Sequence, residues 1–119
     1  MSYAYVGITT EDMTPTLAQA LGYQVKRGAL VIGVNSGSPA QAAGLHGGTS
    51  DVDVLGRKIT TGGDVIVAID GRPVHGADDV VRIVSFSLRP KDVAVFTIVR
   101  NGKHKRIPVT LSERRLPTG

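Results

Sequence analysis

The run Tyr5-Val6-Gly7-Ile8 holds the groups best placed to do chemistry in this chain, and that chemistry belongs to the backbone. A glycine between apolar residues lets the main chain take an unusual conformation and lets another group approach closely, since it has no Cβ. Successive N–H groups around such a turn can point at one spot and form an anion-binding nest. Thr9-Thr10-Glu11 follows at once as a short polar strand. If that strand lies at an open edge, the ligand that fits is an extended peptide ending in a carboxylate. The bland alternative is an ordinary glycine at a strand start. Taken alone, the four residues leave both open.

No other group of side chains competes as a reaction centre. The three histidines, His46, His75 and His104, have no metal-ligand spacing and read as surface residues. Ser36, Ser38, Ser85 and Ser87 lack a nucleophile-elbow or Gly-rich serine context. Asp51-Val52-Asp53 hints at a cation loop but lacks the remaining ligands of a calcium motif. Gly44, Gly47 and Gly48 do not form a phosphate-loop pattern. The absence of cysteine excludes disulfides, thiolate metal sites and a cysteine nucleophile. The expectation is a binding chain with no catalytic residue, no metal and no cofactor.

Composition bounds what can position such a site. A chain of 119 residues supports one domain with one modest core. With three Tyr, two Phe and no Trp, that core must be aliphatic. The 15 Gly and 6 Pro, many beside short Val/Ile runs, imply numerous turns and short strands. No run approaches a membrane span, and no signal-like segment is present. Met1-Ser2 with a strand almost at once reads as the start of a piece of a longer protein.

The net charge of +4 comes from 14 Lys and Arg against 10 Asp and Glu. The excess falls late, at Arg100, Lys103, Lys105, Arg106, Arg114 and Arg115. One reading is an anionic partner such as nucleic acid or a lipid surface; the other is a solvated hairpin and tail. No aromatic interleaving supports base stacking, so nucleic acid is not an expected partner.

The elements follow from punctuation and periodicity. Thr14 caps a short helix that starts at Pro15 and exits at Gly22, and Ser38-Pro39 with Gly44 repeats that punctuation. Residues 28–34 and 64–69 read as buried strands. Asp70-Gly71 turns the chain into Arg72-Pro73-Val74. Residues 77–88 form the longest helix candidate, with Val80, Val84 and Leu88 on one face and Ile83 beside it. Residues 93–100 and 103–111 form strands joined by Asn101-Gly102. Between 46 and 63 the pattern supports either a small hairpin across Gly56 or a mobile loop.

This order of elements resembles the PDZ domains of HtrA/Deg-type serine proteases. The resemblance is carried by Tyr5-Val6-Gly7-Ile8, Gly28-Ala29-Leu30-Val31, Gly37-Ser38-Pro39-Ala40 with Ala43-Gly44-Leu45, Gly63-Asp64-Val65-Ile66, Ile69-Asp70-Gly71, Arg89-Pro90 and Arg100-Asn101-Gly102-Lys103. The stretch from Gly44 to Asp64 is longer than the family's usual few residues, and Pro90-Lys91 stands where Pro-Gly is common.

What the resemblance implies is a mostly β fold: a PDZ-like β-sandwich or partial barrel capped by two or three helices, with the permuted strand order of bacterial members. It implies a single domain over 1–119, with a core at about 4–112, an insertion loop at 46–63 and a flexible tail at 113–119. The N–H groups of Val6, Gly7 and Ile8 would clamp a peptide carboxylate. The groove would use Thr9, Thr10 and Glu11 on one side and Val80, Ile83 and Val84 on the other. Its apolar pocket would be walled by Ile8 and by Ile83 or Val84. Partners would be C-terminal or unfolded peptide segments and the protease domain of the parent chain, in a periplasmic, membrane-associated or other extracytoplasmic setting. Alternatives are a scaffold module of a secretion or signalling protein, or an anionic-surface module using the basic hairpin.

Overall fold

The computed structural model describes residues 2–115. The chain runs β1 (Ser2–Tyr5), β2 (Ile8–Met13), α1 (Pro15–Leu21), β3 (Gly28–Val34), α2 (Pro39–Ala43), β4 (Ser50–Val54), β5 (Arg57–Thr61), β6 (Val65–Ile69), β7 (Arg72–Pro73), α3 (Ala77–Ser87), β8 (Val93–Arg100), β9 (Lys103–Thr110) and β10 (Ser112–Arg115). Among the described residues the fold is mostly β with three helices, as expected. The main sheet has the order β2-β3-β6-β8-β9, with the short β7 beside β6. Every pairing in it is antiparallel.

Local chemistry explains the elements. Thr14 and Ser38 cap α1 and α2 through their side-chain oxygens, which accept from the Leu17 and Gln41 amides at 3.1 and 3.2 Å. Each helix begins with proline and ends on a left-handed glycine, Gly22 or Gly44. Three tight hairpins share one turn geometry: Leu55-Gly56, Asp70-Gly71 and Asn101-Gly102 all have positive φ at both residues. That pair of conformations matches the right-handed twist of the strands it joins.

The sheet separates two apolar clusters. Ala29, Val31, Ile66, Ile69, Phe96 and Ile98 face α3 and α2, where they meet Ala40, Val80, Ile83 and Val84. Leu30 and Val65 point to the other face, against Met13, Leu17, Ala18 and Ile59. The alternation is what period-two side chains require of a sheet covered on both sides.

Strand pairing places two further segments, one within 46–63 and one at the start of the 113–119 tail. Within 46–63, β4 and β5 pair from Ser50↔Thr61 to Val54↔Arg57, which is the hairpin alternative. Ile59 is only 4% exposed in the second cluster, and Val54 packs against it. The start of the expected tail is also ordered, because Ser112–Arg115 pairs with Tyr5–Ser2. Its polar residues carry no apolar alternation, and the pairing is made by backbone groups. Residues 116–119 of that tail lie outside the described residues.

Candidate functional site

The loop between β1 and β2 is built from its carbonyls outward. The Val6 carbonyl accepts from the Ala40 amide at 3.0 Å, and the Gly7 carbonyl accepts from the Asn35 amide at 2.8 Å. A trans peptide unit points its C=O and the next N–H in opposite directions. Tying these two carbonyls to α2 and the β3 exit therefore turns the Gly7 and Ile8 N–H groups away from both. The Tyr5 hydroxyl accepts from Asn35 Nδ2 at 2.7 Å and fastens the same loop from the other end. Gly7 sits at φ +86°, in the left-handed region, while the Val6 side chain is buried in the core.

Among the described residues the strand beyond the loop is a sheet terminus: β2 pairs with β3 on one side only. Because the Gly7 carbonyl bonds Asn35, Ile8 and Val34 oppose each other as a non-hydrogen-bonded pair. The Ile8 main-chain groups thus face the open edge, and period two puts those of Thr10 and Asp12 there as well. The register shift after Thr9 inserts its extra residue into β3, so the alternation along β2 continues. Ile8 packs against the main core and Asp12 reaches α3, so Ile8, Thr10 and Asp12 share the helix-side face. Thr9, Glu11 and Met13 point the other way. Glu11 meets Arg57 of β5, and Met13 enters the second cluster. The main-chain groups of Thr9 and Glu11 are turned to β3 and their side chains lie on the far face, so at the open edge β2 presents Ile8, Thr10 and Asp12.

Helix α3 forms the opposite wall. Asp79 Oδ2 accepts from the His75 amide at 2.8 Å, and Asp12 Oδ1 accepts from the Ala77 amide at 2.7 Å. An aspartate from β2 thus caps a helix whose own N-cap is Gly76, and closes one end of the space between strand and helix. At the other end of α3, Arg72 of β7 donates to the Ser87 hydroxyl.

The three helix residues expected in the groove, Val80, Ile83 and Val84, all join the main core. Ile83 is 9% exposed. Val81, which the periodicity did not single out, is 61% exposed and lies on a stripe with Ala77, Val84 and Leu88. Asp12 fixes the start of α3 against β2 through the Ala77 backbone amide, and Arg72 holds its end through Ser87. An apolar residue outside the core stripe was the available signal.

A second polar arrangement supports the site from behind. Asp64 is 1% exposed and takes both Nε and Nη2 of Arg100, at 2.8 and 2.7 Å. It also accepts from the His46 amide at 2.8 Å, and Arg100 donates to the Gly44 carbonyl at 2.9 Å. The carboxylate's hydrogen bonds hold the Arg100 guanidinium above its ordinary pKa; burial opposes the rise and charge attraction adds to it. The pair ties the end of β8 to the α2 exit, and α2 holds the Val6 carbonyl. Its charged partners are far apart in sequence, so spacing gave no sign of it.

Comparison with known proteins agrees with this architecture. The family profile that matches is the PDZ domain, over residues 4–111. The chain is 31% identical over 107 residues to the "Probable periplasmic serine endoprotease DegP-like" of Rhizobium meliloti (strain 1021), covering 90% of this chain and 18% of that protein. The protein of the same description from Pseudomonas fulva (strain 12-X) is 29% identical over 111 residues, covering 93% of this chain and 20% of its own. The chain spans about a fifth of the length of these curated relatives. Among solved structures, "HtrA-type protease AlgW with tripeptide" superposes with a TM-score of 0.72 at 25% identity, over 98% of this chain and 34% of that one. The HtrA3 PDZ domain bound to a phage-derived ligand gives a TM-score of 0.71 at 20% identity, over 96% and 89%, a likeness of fold. With its fold reproduced and the family profile running from residue 4 to residue 111, this chain belongs to the PDZ domain family.

Proposed function

We propose that this domain captures extended peptides with a free apolar C-terminus by adding them as a strand to β2. The observation that carries the reading is the pair of inward-tied carbonyls at Val6 and Gly7, which turns the next two N–H groups toward the open edge. Those donors suit a carboxylate, and hydrogen bonds to a charged acceptor are roughly twice as strong as neutral ones. The edge groups of Ile8 and Thr10 then supply a ladder that reads shape and not sequence. Selectivity at the last residue comes from the apolar flank of Ile8, Val81 and Val84.

AlgW has been solved with a tripeptide and the HtrA3 PDZ domain with a phage-derived ligand, which supports the same reading here. The curated relatives are described as periplasmic serine endoproteases. Within a longer chain of that kind, the domain would hold exposed C-termini of unfolded proteins near a protease domain outside the cytoplasm. A single short peptide should bind on the order of micromolar, about −8 kcal/mol.

An NMR titration tests the location. A peptide with a free apolar C-terminus should shift the amides of residues 6–11 and of the 77–88 flank. Shifts concentrated on residues 100–106 would instead move binding to the basic β8–β9 hairpin and contradict the proposal.

A further inference from the structure

We propose that Asp12 makes the added strand selective for a basic residue four positions before the peptide's C-terminal residue. The inference rests on the strand-addition reading above. A carboxylate held at Gly7 and Ile8 meets the N-terminal end of β2, so the peptide runs antiparallel along the edge. Its last residue opposes Ile8. Outward main-chain groups recur every second residue, so the residue two before it opposes Thr10 and the residue four before it opposes Asp12.

Directly opposed residues on an antiparallel pair bring their Cβ atoms to about 4.5–5.5 Å. A lysine or arginine there reaches the Asp12 carboxylate without leaving the strand. That carboxylate is also held in place, since Oδ1 accepts from the Ala77 amide at 2.7 Å. Gly76 leaves room for it: a Cβ at Gly76 would stand 2.9 Å from Oδ1.

The charge at this position is uncompensated by a cation. Glu11 pairs with Arg57, Asp79 with Arg82 and Asp64 with Arg100, whereas Asp12 has no ion pair among the described residues. The N-terminus of α3 offsets it by only about half a charge. Exposed Asp78, in the first turn of α3, adds a second negative group beside the helix start. A like-charged peptide residue would meet both, so the site discriminates by repulsion as well as attraction.

The test uses the folded chain and a peptide series with one free apolar C-terminus and Lys, Ala or Glu at the fourth position before it. Fluorescence anisotropy should give the Lys peptide a Kd about fivefold below that of the Glu peptide, with Ala between. Added salt should narrow the spread, because the pair is exposed. Asp12→Asn keeps an oxygen for the Ala77 amide and should compress the spread to less than about twofold. Equal affinities in the wild-type series, or an unchanged spread in Asp12→Asn, would overturn the inference. The wild-type series decides by itself should the variant lose its cooperative melt. An amidated Lys peptide is the control: if it binds as well as the free acid, the groove reading fails beneath the inference. If the free acid binds better and the series shows no preference, only the inference fails.

Discussion

A methyl group on Gly7 would lie 2.3 Å from the Cβ of Ser38 and 2.9 Å from its hydroxyl. Ser38 is itself buried and caps α2, so it cannot move aside without releasing that helix. The backbone of the β1–β2 loop and the start of α2 are therefore packed as one unit. The helix that receives the Val6 carbonyl also dictates the residue type at position 7.

Gly7→Ala should consequently be costly twice over. The left-handed φ of +86° costs about 1–2 kcal/mol for a residue with Cβ, and the overlap with Ser38 about 1–3 kcal/mol more. A drop in Tm on the order of 10 °C is expected, with weakened peptide binding at temperatures where the domain stays folded. An unchanged melt would show that the loop can rearrange freely.

The walls of the groove should respond differently to the same substitution. Ile83→Lys places an unpaired charge in the main core, which costs several kcal/mol and should abolish a cooperative melt. Val81→Lys projects from a position already 61% exposed and should leave the melt within a few degrees while weakening capture of an apolar C-terminus. Thermal denaturation paired with peptide titration separates the two. A folded Ile83→Lys that loses only binding would reverse the roles assigned to these residues.

Asp64→Asn removes the charge that Arg100 faces inside the structure while keeping the side-chain shape. Breaking a buried pair from one side costs about 3–5 kcal/mol, and the partial exposure of Arg100 puts the expected loss at about 3 kcal/mol. Urea unfolding should show a lower midpoint with an unchanged slope. A midpoint within experimental scatter of wild type would mean that solvent already screens the pair.

The β4–β5 hairpin is one of the two readings that the sequence leaves open for residues 46–63. Read as an insertion, residues 47–62 should be replaceable by a short Gly-containing turn at a cost of about 1 kcal/mol. Burial of Ile59 beside Met13, Leu17 and Leu30 predicts otherwise. Ile59→Ala alone should cost about 2–4 kcal/mol, and removing the hairpin should lower Tm further. Strong hydrogen-exchange protection at 52–59 would agree, and exchange at free-loop rates would not.

Much of the frame was legible because it rests on local signals. Thr14-Pro15, Ser38-Pro39 and Asn101-Gly102 each specify a cap or a turn within a few residues, and each does so in the structure. The features that were hidden depend on distant partners. The β1–β10 ribbon joins the two ends of the domain through backbone groups, and Asp64 meets Arg100 across β6 and β8. Gly63, readable only as part of a Gly-Asp motif, is required because a Cβ there would stand 1.9 Å from the Val31 carbonyl. In the candidate site, the turn at Gly7 was legible from residue type, whereas the helix flank was not. Periodicity marked the buried stripe of α3, and the placement of the helix against β2 depends on the distant contacts that Asp12 and Arg72 make.

In the proposed function, the Gly7 and Ile8 N–H groups receive a peptide carboxylate. The most direct measurement is isothermal calorimetry with one peptide in two forms, identical except for a free or an amidated C-terminus. Amidation should weaken binding at least about tenfold, since it removes the charge that those donors face. Equal Kd values for the two forms would contradict it.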